Sequence, residues 1–165
     1  MPARAAPAVI DAEHARFLQG AVSIIVASRN SANQPELVRA QGCRVARDRR
    51  RVRLFLALAQ ATALVADVRQ NGLVAVVFTE PGTHRSLQLK GEAARILRLR
   101  PDEDAHMAAY RDAMVLQLGR GGVSEALTRA LLDPMGETVA LEFAPTHAFV
   151  QTPGPGAGRP LEAGA

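Results

Sequence analysis

Six short apolar runs, each of strand length and each bounded by turn residues, constrain this chain more than any other feature. Val22-Ser-Ile-Ile-Val26 is rich in β-branched residues, and the turn-prone Arg29-Asn-Ser-Ala-Asn-Gln34 follows it, the pattern of a strand entering a hairpin. Pro35 starts its partner, which runs extended from Leu37 to Val45. A charged turn at Asp48-Arg-Arg-Arg51 leads into Val52-Arg-Leu-Phe-Leu-Ala-Leu58, where alternation and apolar content favour a third strand. Leu73-Val-Ala-Val-Val-Phe78 is a continuous apolar run, the pattern of a strand covered on both faces. Ser86-Leu-Gln-Leu-Lys90 alternates before Gly91, where a bulge or a close backbone approach is expected, and the strand continues through Ala94, Ile96 and Leu99. Thr138 to Phe143 and His147 to Val150 complete the set as one bent strand or a pair.

Between these runs the period changes. Asp11-Ala-Glu-His14 opens a short capped helix that Gly20 ends. From Gln60 to Gln70, Leu64, Val65 and Val68 share a helical face, and Asn71-Gly72 supplies the left-handed stop. Pro101-Asp-Glu-Asp104 starts a longer helix with Met107, Tyr110, Met114 and Leu118 near one face, and Ser124 begins another that ends at Asp133-Pro134. Strands at hairpin spacing with flanking helices argue for a mainly β, α+β architecture: a closed or partly closed antiparallel barrel of six strands. The expected organisation is a flexible segment over 1–10, one domain over 11–151 and a Pro/Gly-rich tail or arm over 152–165.

The 165 residues suit one core, and no apolar stretch nears the length needed to cross a bilayer, so a soluble, cytoplasmic protein is expected. A single cysteine, Cys43, permits no internal disulfide. The net charge of +4 and pI near 10.5 suggest an anionic partner, but acidic residues are dispersed, Trp is absent and no basic recognition helix occurs, which argues against nucleic acid. His14, His84, His106 and His147 lack metal-ligand spacing, so no metal site is expected. The run Arg47 to Arg53 reads as a solvated hairpin tip. Thr83-His-Arg-Ser-Leu-Gln-Leu-Lys-Gly91 places hydroxyl, amide and cation on one strand face, either open to water or partnered by a polar, flat ligand such as a flavin.

The ordered set Asn33-Gln-Pro-Glu-Leu-Val-Arg39, Leu54-Phe-Leu-Ala-Leu58, Thr62, Asn71-Gly72, Val74-Ala-Val-Val-Phe78 and Arg85-Ser-Leu-Gln-Leu-Lys-Gly91 resembles the pyridoxamine 5'-phosphate oxidase-like FMN-binding split barrels over about residues 10 to 150. That resemblance implies a six-stranded split barrel working as a homodimer, with flavin at the subunit interface. It implies an FMN-dependent oxidoreductase passing hydride through flavin N5 to or from a small molecule. A non-catalytic flavin or haem carrier or sensor, or a deazaflavin-binding reductase, is the alternative. Carried over by position, Arg39 and Arg44 bracket the second-strand flavin motif, Thr62 is the phosphate-binding hydroxyl, and Arg85 and Ser86 lie near the flavin ring. Gln88 and Lys90 are added because they share that strand face. Where the family places two basic residues after the hydroxyl, this chain has Ala63 and Leu64. No catalytic side chain and no substrate follow from the residues.

Overall fold

A computed structural model describes residues 8–161. The chain forms α1 (Ala12–Leu18), β1 (Ser23–Arg29), β2 (Pro35–Val45), β3 (Val52–Ala57), α2 (Thr62–Asn71), β4 (Val74–Thr79), β5 (Ser86–Leu97), α3 (Glu103–Gly119), α4 (Glu125–Leu131) and β6 (Thr138–Val150). The strands close an antiparallel barrel in the order β1-β2-β3-β6-β5-β4. Alternation puts Ile24, Val26, Leu54, Leu56, Val76, Phe78, Leu89 and Leu141 inside, all fully buried. The helix α2 plugs one barrel end with Leu64, Val65 and Val68, and Gly72 at φ 66° terminates it where a residue with a Cβ is disfavoured.

The α3 helix lies over the outer side of β2 and β3. Its Met107 packs with Phe55 and Ala140, its Tyr110 hydroxyl donates to the Val22 carbonyl at 2.7 Å, and His106 bonds the Cys43 carbonyl at 2.9 Å. This cover explains why β3 is buried at every position. It also buries Arg53, whose guanidinium makes a two-pronged bond to Glu103 at 2.6 and 2.9 Å. The solvated hairpin tip expected for Arg47 to Arg53 therefore does not extend to Arg53. Burial pushes the Cys43 thiol and the Tyr110 hydroxyl above their ordinary values, so both stay neutral and structural.

Further expectations change. The run Leu73 to Phe78 is not covered on both faces in this chain: β4 alternates buried and half-buried positions, leaving Ala75, Val77 and Thr79 facing outward. Of the two readings left open for Thr138 to Val150, one bent strand or a pair, the single strand β6 is what forms. Ile10 is 1% exposed, so the packed domain begins within the segment assigned to the flexible N-terminus; residues 1–7 lie outside the described residues. The tail turns back on its own strand. Because β3 pairs with β6 only from Thr138 to Phe143, the following edge is open, and Val150 N–H donates to Arg159, Gly158 N–H to Val150 and Leu161 N–H to Ala148 at 2.7–2.9 Å. Phe149 and Pro160 form the matching bridge. The last tail residues, 162–165, lie outside the described residues.

Candidate functional site

The outer face of five strands carries two registered rows of side chains. One row reads Arg39, Ile25, Val77, Gln88, Phe149 across β2, β1, β4, β5 and β6; the next reads Leu37, Ala27, Ala75, Lys90, His147. Both rows follow from the period of two, since every member is on the pleat face opposite the barrel core. The centre is apolar and half-buried, through Ile25, Ala27, Ala75 and Val77, while the margins carry a guanidinium, an amide, an ammonium and an imidazole. Arg39 and Gln88 are three strand spacings apart, roughly 14 Å.

The marginal polar groups are lightly engaged. Arg39 Nη1 donates to the Ser23 hydroxyl at 2.8 Å and has no carboxylate partner among the described residues. Among the described residues, the Gln88 amide oxygen accepts only a long 3.4 Å bond from Gln151. The Lys90 ammonium lies 5.3 Å from the Phe149 ring centre, without an acidic partner among the described residues. Lys90, His147, Thr146, Ser28, Arg29 and Asn33 border a cleft of about 540 Å³ at one edge of this face. Beneath it, the buried Asp67 carboxylate accepts from the Ser28 hydroxyl at 2.7 Å. Next to Arg39 in β2, the Gln41 amide is 1% exposed and neither end has a hydrogen-bond partner among the described residues.

Of the seven nominated residues, the structure brings Arg39, Gln88 and Lys90 onto this one face, with Ser86 at its border. Ser86 is buried, its hydroxyl 2.9 Å from that of Thr79 and donating to the His84 carbonyl at 3.0 Å. The other three lie apart. A bulge between Ala40 and Cys43 shifts the register of β2, and Arg44, roughly 15 Å further along, pairs with Asp102 at 2.6 Å. Thr62 opens α2 as expected, its hydroxyl donating to the Leu58 carbonyl at 3.3 Å, so the helix N-terminus has no side-chain cap. Arg85 leaves the sheet for α1, where it pairs with Glu13 at 3.0 Å and rests 4.7 Å from the centre of the Phe17 ring.

Sequence reasoning passed over His147, Asn33 and Gln41. His147 carried a usable signal, because it falls at an outward position in the last strand opposite Lys90. Gln41 carried none, since its burial depends on the bulge.

No family model and no curated protein matches this sequence. Solved structures do. An F420 reductase superposes with TM-score 0.52 at 15% identity, covering 84% of this chain and 98% of its own. HupZ of Group A Streptococcus superposes with TM-score 0.54 at 17% identity, covering 90% and 100%. A candidate pyridoxamine 5'-phosphate oxidase from Lactobacillus delbrueckii gives TM-score 0.53 at 8% identity, covering 86% and 93%. None of the described helices is long and apolar enough to cross a membrane. With a closed six-stranded antiparallel barrel, four flanking helices and near-complete coverage of these neighbours, the chain has the pyridoxamine 5'-phosphate oxidase-like split-barrel fold.

Proposed function

We propose that this chain is a flavin-dependent oxidoreductase that binds FMN, or a deazaflavin in its place, on the two-row outer face, with a second copy of the chain closing the site. The observation that carries the reading is the composition of that face: an apolar half-buried centre with Arg39, Gln88 and Lys90 at its margins, none paired with a carboxylate among the described residues. A flat tricyclic ring needs apolar contact on its faces and donors at its polar edge, and an orphaned amide such as that of Gln41 is the kind of group a bound ligand or ordered water satisfies. The residues therefore fit the cofactor class. The reductase and oxidase names among the fold neighbours support the same class.

When bound, a flavin supplies hydride transfer at its N5, and the protein supplies binding, orientation and exclusion of water. Lys90 and Arg39 would hold anionic or carbonyl oxygens, Gln88 would bond the polar ring edge, and Ile25, Ala27, Ala75 and Val77 would keep water from the ring. Thr62 and the uncapped N-terminus of α2 lie apart from this face, so a flavin phosphate on it would fall to Arg39 or Lys90, without help from Ala63 or Leu64. Those two apolar residues should make the phosphate contribute little, so FMN and riboflavin should bind with similar affinity unless Arg39 compensates.

Fluorescence titration of FMN and riboflavin into wild type, Arg39→Ala and Lys90→Ala tests the reading. Each variant should weaken FMN about tenfold or more, the worth of a charge-assisted bond. Unchanged affinity in both variants would move the site elsewhere. A flavin that binds tightly yet resists reduction by nicotinamide donors would mark a carrier rather than an oxidoreductase.

A further inference from the structure

On the far side of the barrel, cross-strand register sets Arg44, Arg53, Glu142 and Arg95 in one outward row over β2, β3, β6 and β5. Arg51 and Arg100 flank that row from the neighbouring turns. Together Arg44, Arg51, Arg53, Arg100 and Glu142 line a pocket of about 340 Å³, which shares no residue with the flavin-sized cleft.

The pocket is unbalanced in charge and in hydrogen bonds. Four guanidiniums stand around one carboxylate, Glu142, at 3.6 Å (Arg95), 3.8 Å (Arg53), 3.9 Å (Arg100) and 4.0 Å (Arg51). All of these exceed hydrogen-bond reach, so the carboxylate, with its side chain only 9% exposed, sits among donors without a hydrogen bond to any of them. Arg53 and Arg44 spend their short bonds on Glu103 and Asp102. Among the described residues, Arg51 and Arg100 make no shorter side-chain ion pair than the loose one to Glu142. In the same region Arg53 and Glu103 close on a two-pronged contact at 2.6 and 2.9 Å. The set around Glu142 stays open around a space.

We infer that the pocket is a phosphate site, taking free phosphate or the phosphate group of a small metabolite, in its singly protonated form. The oxyanion oxygens accept from Arg51, Arg100 and the remaining Arg53 Nη1–H, and the P–O–H donates to Glu142. That arrangement gives the Glu142 carboxylate a hydrogen-bond donor, which it lacks among the described residues, and turns it into a filter. Sulfate has the same shape and charge but no proton at neutral pH, so it meets Glu142 as one anion meets another.

Isothermal titration of the full chain with inorganic phosphate and with sulfate, at matched ionic strength, tests this. Phosphate should bind, with sulfate weaker by about tenfold or more, the cost of exchanging a charge-assisted bond for repulsion. Arg51 and Arg100 are three-fifths exposed, so Arg51→Ala with Arg100→Ala should fold and lose phosphate binding. Glu142→Gln should bring the two anions to comparable affinity; if that variant does not fold, the wild-type ratio decides alone. Lys90→Ala should leave phosphate binding unchanged, which separates this site from the flavin face. Absence of phosphate binding, equal binding of both anions by wild type, or binding that survives loss of both arginines would overturn the assignment. A second titration, with a small phosphomonoester competing against inorganic phosphate, tells the sources apart: competition would mean a metabolite's phosphate group, and its absence free phosphate.

Discussion

Gly91→Ala should destabilise this barrel far more than one methyl group suggests. A Cβ built on Gly91 would lie 2.0 Å from Cδ2 and 2.7 Å from Cε2 of Phe143, and 3.0 Å from the Ala144 carbonyl oxygen. Carbon atoms in van der Waals contact stay about 3.5–4.0 Å apart, so the ring must retreat by roughly 1.5–2 Å. It has little room, because Phe143 is 1% exposed and packed within the core. Gly91 does not occupy the left-handed region, so the cost is packing rather than backbone strain. Overpacking of a dense core costs about 1–3 kcal/mol, and a clash this close belongs at about 3 kcal/mol. For a domain of this size that is a fall in melting temperature of roughly 6–12 °C. Phe143→Leu alone should cost about 1–1.5 kcal/mol, yet in the double variant the smaller side chain makes space, so the two costs should fall short of adding by at least about 1 kcal/mol. Thermal and urea unfolding of the four proteins provides the cycle. A Gly91→Ala protein melting within roughly 2 °C of wild type, or strict additivity, would refute the packing argument.

Ser28→Ala should cost about 1.5–3 kcal/mol, since it removes the one short side-chain hydrogen bond that the buried Asp67 carboxylate has among the described residues, and urea unfolding against Ser28→Thr would show whether the hydroxyl is what matters. Burial alone would raise the Glu103 carboxyl, but bonds from the Arg53 guanidinium and the Arg100 backbone N–H hold it below its ordinary value of 4.5. Its folded value is depressed, so this stability is full above about pH 4.5 and fades as pH falls toward the folded value; Glu103→Gln should be less stable at neutral pH and show a flatter acid limb in melting temperature. Truncation after Gln151 should lower the melting temperature by several degrees, because it strips the pairing from the β6 edge between Ala148 and Val150, and an unchanged melt would mean that the returning tail adds nothing.

Local pattern carried most of the fold. The strand runs and the Asn71-Gly72 stop depend on period and turn chemistry legible within a few residues, and Gly91 marks a close approach locally although its partner, Phe143, is 52 residues away. Long-range pairing was not legible. Arg53 sits in a charge run that reads as solvated, yet its partner is 50 residues away on α3, and only the packing of that helix over β3 buries both. The same holds for the β4 run, whose outward half depends on what covers the barrel. Within the candidate site, outward positions in β5 could be counted by twos, which brought Gln88 and Lys90 together. The bulge in β2 broke that counting between Arg39 and Arg44, and helical packing carried Arg85 away to α1.

Sedimentation velocity of the purified chain with FMN at micromolar concentration, followed at once in the protein band and the flavin band, tests the central proposal most directly. If two copies close the outer face over a flavin, flavin absorbance should move with a dimer boundary, and dilution that yields monomer should release it. Flavin that stays with free solute, or that travels with a stable monomer, would contradict a cofactor site built on this face and closed by a second copy.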